Sequence, residues 1–179
     1  MSPSSFPPPC GTARSRSLVC VWSVAALLAA GSSACRSRSR AQALSATLSI
    51  PAYVEAAKPG VSPTFEFPVL EVYNGEGLLI YRHHDVTRNS AMLRGLPANA
   101  KLMQPESSAP RLAHILESVP KFKPERQAVM ALHQPVVLSV DMDSCGECRI
   151  QSRVIDGFRE RLLEQSVSVL EIHVSPPVN

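Results

Sequence analysis

The sequence predicts an α/β protein: a sheet of about four strands with flanking helices, preceded by a disordered leader. Three observations carry this. The last third of the chain reads strand, helix, strand, the order of a right-handed βαβ crossover. Two β-rich runs flank Asn74-Gly75-Glu76-Gly77, and Asn-Gly between such runs is the strongest short hairpin signal. Leu112, Ile115, Leu116 and Val119 fall at i, i+3, i+4 and i+7, one face of a helix. The chain has 179 residues, 45% of them hydrophobic but only 5% aromatic. Val, Leu, Ile and Ala suffice for a core, so a wholly disordered chain is excluded, and the length fits one domain with an appendage.

The N-terminus has the order of a secretory signal. Residues 1–17 are Pro/Ser-rich with two arginines, Leu18 to Ala30 is an almost unbroken apolar run, and small residues follow. The apolar run is short for a membrane-spanning helix, which needs about 20 residues. Ala41-Gln42-Ala43 fits small-x-small cleavage before Leu44, which makes residues 1–43 the leader. Ser32-Ser33-Ala34 before Cys35 is a second cleavage candidate, with Cys35 then carrying a lipid, although Ser32 stands where a lipobox wants a large aliphatic. An uncleaved anchor or a displaced start codon is the bland alternative. Charge follows the same division. The formal net charge is +3, from 18 Lys+Arg and 15 Asp+Glu. Five of those arginines (Arg14, Arg16, Arg36, Arg38, Arg40) lie before residue 44 and no acid does, which leaves 13 bases against 15 acids, net −2. The folded part is mildly acidic and gives no reason to expect nucleic-acid binding.

Residues 44–64 carry Pro51, Pro59 and Pro63 and no sustained period, and read as a linker with a short helical turn near Tyr53–Ala57. The domain is placed at 65–179. Val69–Tyr73 and Leu78–Tyr81 are the hairpin strands. A short helix follows Asn89 through Met92, Leu93 and Leu96 and is closed by Pro97. Residues 97–110 read as a polar loop. The Leu112–Val119 helix stops at Pro120, and Pro124 starts another short helix that ends by Pro135.

In the last third, Val136–Val140 is a short apolar run suited to a buried parallel strand. Ile150, Val154, Phe158 and Leu162 form a helical stripe with Ile155 and Leu163 beside it, and Val167–Val174 is the next strand. At the strand-to-helix turn stands Cys145-Gly146-Glu147-Cys148. Of five cysteines, Cys10, Cys20 and Cys35 lie in the leader, so the mature chain keeps this pair alone. A bridge three residues apart closes too short a loop to staple a fold, and no second cysteine pair completes a zinc site. In an exported chain such a pair reads most simply as redox-active. At a helix N-terminus the unpaired N–H groups and the helix dipole favour a thiolate, which lowers a cysteine pKa from ~8.5 into the range ~3.5–7.5. Cys145 is then the exposed nucleophile and Cys148 the resolving thiol. Asp141, Asp143 and Glu147 oppose the thiolate.

The stretch Val136–Val174 resembles the thioredoxin-like family: strand, C-x-x-C, long helix, next strand. Ser144 stands where the family has tryptophan, and Ser139 where it has a buried acid. The family's hairpin and final helix have no room after Cys148, but Phe67–Glu76 is similar to its cis-proline strand and Asn-Gly turn, with a short helix after. The resemblance therefore implies a circularly permuted thioredoxin-like fold, in which Pro68 helps to bind the substrate backbone. From the residues alone Pro68 reads as a strand-edge proline.

The expected function is an exported thiol–disulfide oxidoreductase, periplasmic or membrane-anchored through the leader or Cys35, using Cys145 and Cys148. It calls for no cofactor, and its partners are protein thiols and disulfides plus a redox partner that supplies or removes electrons. Two rivals stand. One is a Cu(I) chaperone using the same cysteines, with His83 or His84, since soft thiolates suit that ion. The other is an envelope lipoprotein with a vestigial motif. His83-His84-Asp85 otherwise reads as an exposed strand end, and His173 as packed or at the sheet end.

Overall fold

Val136-Val137-Leu138-Ser139-Val140 is apolar on both faces, and such a run is stable only where both faces are covered. It forms β4 (Val136–Met142) at the centre of a five-stranded sheet. The computed structural model describes residues 40–57, 66–106 and 111–176. Along these the order is β1 (Ala43–Ser49), α1 (Ile50–Ala57), β2 (Val69–Tyr73), β3 (Leu79–His83), α2 (Val86–Gly95), α3 (Ala98–Leu102), α4 (Arg111–Ser118), a 3-10 turn at Lys123–Glu125, α5 (Arg126–Ala131), then β4, α6 (Gly146–Glu164) and β5 (Ser168–Ser175). The sheet runs β1-β5-β4-β2-β3. β1, β5 and β4 are parallel, whereas β2 is antiparallel to both β4 and β3. The hairpin thus joins the same sheet as the C-terminal strands, with Val69 opposite Val140 and Tyr73 opposite Val136.

Three expectations need correcting. The sheet has five strands rather than four, because residues 43–57, expected within a leader and linker, form β1 and α1. The missed signal is the alternation of Leu44, Ala46 and Leu48 with Ser45, Thr47 and Ser49. It is weak because Ala46 replaces the larger side chain that usually marks a strand. α2 begins at Val86, not after Asn89. Asp85 caps it by accepting the Arg88 N–H at 2.8 Å, and Asn89 is buried inside it. The expected loop at 97–110 also contains the short α3. The leader expectation up to residue 39 lies outside the described residues.

The hairpin turn is closed by the Asn74 side chain, and Gly77 rather than Gly75 takes the positive φ, at 79°. Asn74 Oδ1 accepts the N–H groups of Glu76 and Leu78 at 3.0 and 2.9 Å. A Cβ at Gly75 would sit 2.3 Å from the His133 carbonyl oxygen, so this close approach requires glycine.

The pleat divides the core. Val69, Tyr73, Leu138, Val140, Leu170 and Ile172 face α1 and α4. Leu70, Val72, Val137 and Val169 face α2 and α6. α6 buries most of the stripe expected of it, with Ile155 and Leu162 buried and Val154 and Phe158 packed against the core, but not Ile150. Its buried residues are Cys148, Gln151, Ile155 and Leu162, while Ile150 is exposed. The inward line of the helix thus begins with Cys148. Two X–Pro bonds are cis, at Phe67-Pro68 and Leu96-Pro97. Among the described residues, no helix is long and apolar enough to cross a membrane.

Candidate functional site

β4 delivers the chain to the end of the sheet, a turn through Asp143 and Ser144 reverses it, and α6 starts at Gly146. Cys145 is the N-cap of α6, with extended φ/ψ of −93° and 121°. Its Sγ accepts the Cys148 N–H at 3.1 Å, the bond that a serine or aspartate oxygen makes at most caps. Cys145 and Cys148 form a disulfide with Cα atoms 5.1 Å apart. Cys145 is half-buried, whereas Cys148 is 2% exposed. The first sulfur meets incoming molecules and the second is shielded behind it.

The residues that sequence reasoning assigned to the site come together. Cys145 Sγ lies 3.5 Å from the Phe67 carbonyl oxygen, a hydrogen bond that the reduced thiol can donate. Pro68 follows Phe67 directly and leads into β2, so the segment before the hairpin lies against the cysteine turn. His84 pins that segment from the end of β3. Its Nδ1 is 2.8 Å from the Glu66 carbonyl oxygen and its Nε2 is 3.8 Å from the Glu66 carboxylate.

His83, His84 and Asp85 do not converge. His83 Nδ1 accepts the Asp85 N–H at 3.0 Å, and its Nε2 lies 3.0 Å from Arg88. Asp85 serves the α2 cap, and the backbone N–H it accepts there from Arg88 holds its carboxyl below the ordinary value. Among the described residues, no group of three or more His, Cys, Asp or Glu is placed to hold a metal ion.

Sequence reasoning missed one pair. Asp141 and His173 lie opposite each other in the β4–β5 register, on the face that α6 covers. His173 Nδ1 is 2.6 Å from Asp141 Oδ1. Burial lifts the Asp141 carboxyl above its ordinary value, against the pull of its hydrogen bond to His173. Ser152 Oγ lies 3.3 Å from Asp141 Oδ2 and 3.0 Å from the Cys148 carbonyl oxygen, tying the first turn of α6 to the pair. Asp141 is thus a buried acid on the same face as Ser139, two residues further along β4. The register that brings His173 beside it is not written in either strand alone.

No protein-family model, curated protein or solved structure matches the chain.

Proposed function

We propose that the protein is a thiol–disulfide oxidoreductase of thioredoxin-like architecture in permuted order, with Cys145 attacking and Cys148 resolving. The asymmetry of the cysteine pair carries this reading. Cys145 is the accessible sulfur, it receives a backbone N–H at a helix N-terminus, and it faces a backbone carbonyl on a neighbouring segment. The N–H and the helix N-terminus favour a thiolate there, whereas the Phe67 carbonyl favours the protonated thiol. Cys148 is buried one turn behind, within bonding distance of it. The strand–cysteine–helix–strand unit, with an antiparallel hairpin at its side and Pro68 beside the cysteines, supports the architectural part. Pro68 is buried and Phe67 half-buried, so the backbone of a substrate would lie along the exposed Glu66 and the Phe67 carbonyl beside Cys145.

The exchange balances without a cofactor. The Cys145 thiolate attacks one sulfur of a substrate disulfide, the substrate S–S bond breaks, and one substrate thiol leaves with a proton. Cys148 loses its proton and attacks Cys145 Sγ, which releases the second substrate thiol. The substrate gains two electrons and two protons, and the protein ends with the Cys145–Cys148 bond. Run backwards, the same steps oxidise a substrate dithiol.

For export, the paired position of Gln42 favours the upstream cleavage site. Its N–H donates to Ser168 Oγ at 3.1 Å and its carbonyl accepts the Val169 N–H at 2.8 Å. Cutting before Leu44 would strip these bonds from the sheet, whereas cutting before Cys35 would keep them.

Mixing reduced protein with glutathione disulfide and weighing the products tests the function. The wild type should end with an internal disulfide, and Cys148→Ser should stop as a glutathione adduct on Cys145. If Cys145→Ser forms a glutathione adduct as readily as Cys148→Ser, the assignment of roles is wrong. If the wild type never closes its own disulfide, the redox reading fails, and Cu(I) titration of the same protein then tests the chaperone rival.

A further inference from the structure

His83, His84 and Asp85 stand where β3 turns into α2, and the exchange chemistry gives them no task. Resting on the redox reading and the substrate path above, we propose that His84 is a positioning residue for the Glu66–Phe67 peptide. By turning that peptide toward the substrate, it selects disulfides carried on extended polypeptide over small disulfides without peptide groups.

The corner that aims His84 is fixed on both sides. His83 Nδ1 accepts the Asp85 N–H at 3.0 Å, and its Nε2 lies 3.0 Å from Nη1 of Arg88. The His83 ring also stacks on Tyr81, with centroids 6.2 Å apart. Asp85 accepts the Arg88 N–H at 2.8 Å as the cap of α2. His84 lies between these two anchored neighbours, so its backbone has little freedom and its ring keeps one direction.

The ring reaches the segment that leads into β2. A carbonyl oxygen only accepts, so Nδ1, 2.8 Å from the Glu66 carbonyl oxygen, carries a proton. This bond outweighs the second contact, from Nε2 to the Glu66 carboxylate at 3.8 Å, because that carboxylate is 79% exposed and screened by water. The Glu66–Phe67 peptide is trans, and in a trans peptide the C=O and N–H point to opposite sides. With the Glu66 carbonyl turned to His84, the Phe67 N–H is turned away from β3.

The rest of Phe67 is held independently. Its carbonyl oxygen lies 3.5 Å from Cys145 Sγ, and its ring packs on Tyr53 with centroids 5.9 Å apart. The N–H and C=O of one residue are the two groups that a hydrogen-bonded antiparallel pair exchanges. An extended substrate chain can add to them as a strand adds to a sheet edge, with its cysteine beside Cys145. Deprotonation of Cys145 for attack takes the thiol donor away from the Phe67 carbonyl and frees it for this pairing. Without His84 the Glu66–Phe67 peptide can rotate, and each binding event has to order it first. That cost falls on peptide binding and leaves the chemistry at sulfur alone.

Single-turnover oxidation of the reduced full chain tests this, read as closure of the Cys145–Cys148 bond against disulfide concentration. One oxidant is a peptide of about ten residues with a central cysteine, linked to its own copy. The other is hydroxyethyl disulfide, which has no peptide groups. His84→Phe keeps a ring without the donor, and His84→Asn sets an amide N–H near the place of Nδ1. The preference for the peptide is the ratio of the two second-order rate constants. In His84→Phe it should fall about three- to tenfold, as expected for one hydrogen bond, through a higher half-saturating peptide concentration. His84→Asn should restore most of the preference. An unchanged ratio, whether from equal loss with both oxidants or from no loss, would overturn the proposal. So would a fall carried by the maximal rate alone, or an Asn variant no better than Phe. Failure of the redox reading shows differently, as a wild type that closes no internal disulfide with either oxidant.

Discussion

Cys145 satisfies two requirements with one side chain. It closes the N-terminus of α6 by accepting the Cys148 N–H, and it keeps its sulfur at the surface beside the Phe67 carbonyl. The difference in exposure between the two cysteines gives the first prediction. In reduced protein, iodoacetamide should label Cys145 at least about tenfold faster than Cys148 at pH 7, since reactivity follows thiolate character and access. Peptide mapping after brief alkylation reads this directly, and equal labelling would contradict it. These two residues were legible in the sequence because C-x-x-C after an apolar run and before an amphipathic stripe fixes their local setting. Pro68 was legible only through the resemblance, since its distance from Cys145 is set by strand pairing between segments about 70 residues apart. Asp141 and His173 were not legible as a pair. Each is an ordinary residue in its own strand, and only the β4–β5 register joins them.

The elements were legible to different degrees. Strands β2, β4 and β5 have dense Val and Leu and were placed within two residues at either end. β1 is a strand of Ala, Ser and Thr, and its stability comes from pairing with β5 along seven residues rather than from its own composition. The exposure of Ile150 was hidden because it continues the line of Val154 and Phe158, which do pack against the core. Gln151 is buried instead: its Oε1 accepts from Asn89 of α2 at 3.2 Å, and Asn89 in turn accepts from the Tyr81 hydroxyl at 2.9 Å. The α2 cap is testable by itself. Asp85 has its pKa lowered by the Arg88 N–H, so its cap is fully present above the ordinary carboxylate pKa of about 3.9. The contribution is lost as pH falls through the lower, folded value. Asp85→Ala should therefore lower the melting temperature at pH 7, Asp85→Asn should do so much less, and the Ala difference should shrink as pH falls below the ordinary carboxylate value. A pH-independent difference would show that the side chain acts other than as a charged cap.

Across the whole molecule the sheet separates two cores, and a buried ionic cluster lies in one of them. Arg111 of α4 donates to both carboxylate oxygens of Glu71 on β2, at 3.0 and 3.3 Å, and also to the Ala57 carbonyl at the end of α1. Glu71 and Arg111 are 1% and 3% exposed, and the Tyr73 hydroxyl also bonds Glu71. Arg82 also lies 3.4 Å from Glu71, so Arg111→Ala leaves the carboxylate partly paired and should cost about 3 kcal/mol, whereas Glu71→Leu with Arg111→Met should recover part of it. Urea unfolding measures both, and a double variant no better than the single one would show that the cluster is worth more than its apolar substitute. On either side of the sheet, Leu116→Ala and Ile155→Ala should each cost ~2–5 kcal/mol. Because the two side chains lie in different clusters, the losses should add to within about 0.5 kcal/mol.

Each level leads to the same centre, a sheet whose hairpin and crossover meet where Cys145 is open and Cys148 is shielded. The most direct test is trapping of substrate proteins by single-cysteine variants expressed in the native host, resolved on non-reducing gels. Cys148→Ala should accumulate mixed disulfides through Cys145, because nothing remains to resolve them, and Cys145→Ala should accumulate few or none. Equal trapping by both variants, or none by either, would contradict the assignment of an attacking and a resolving thiol.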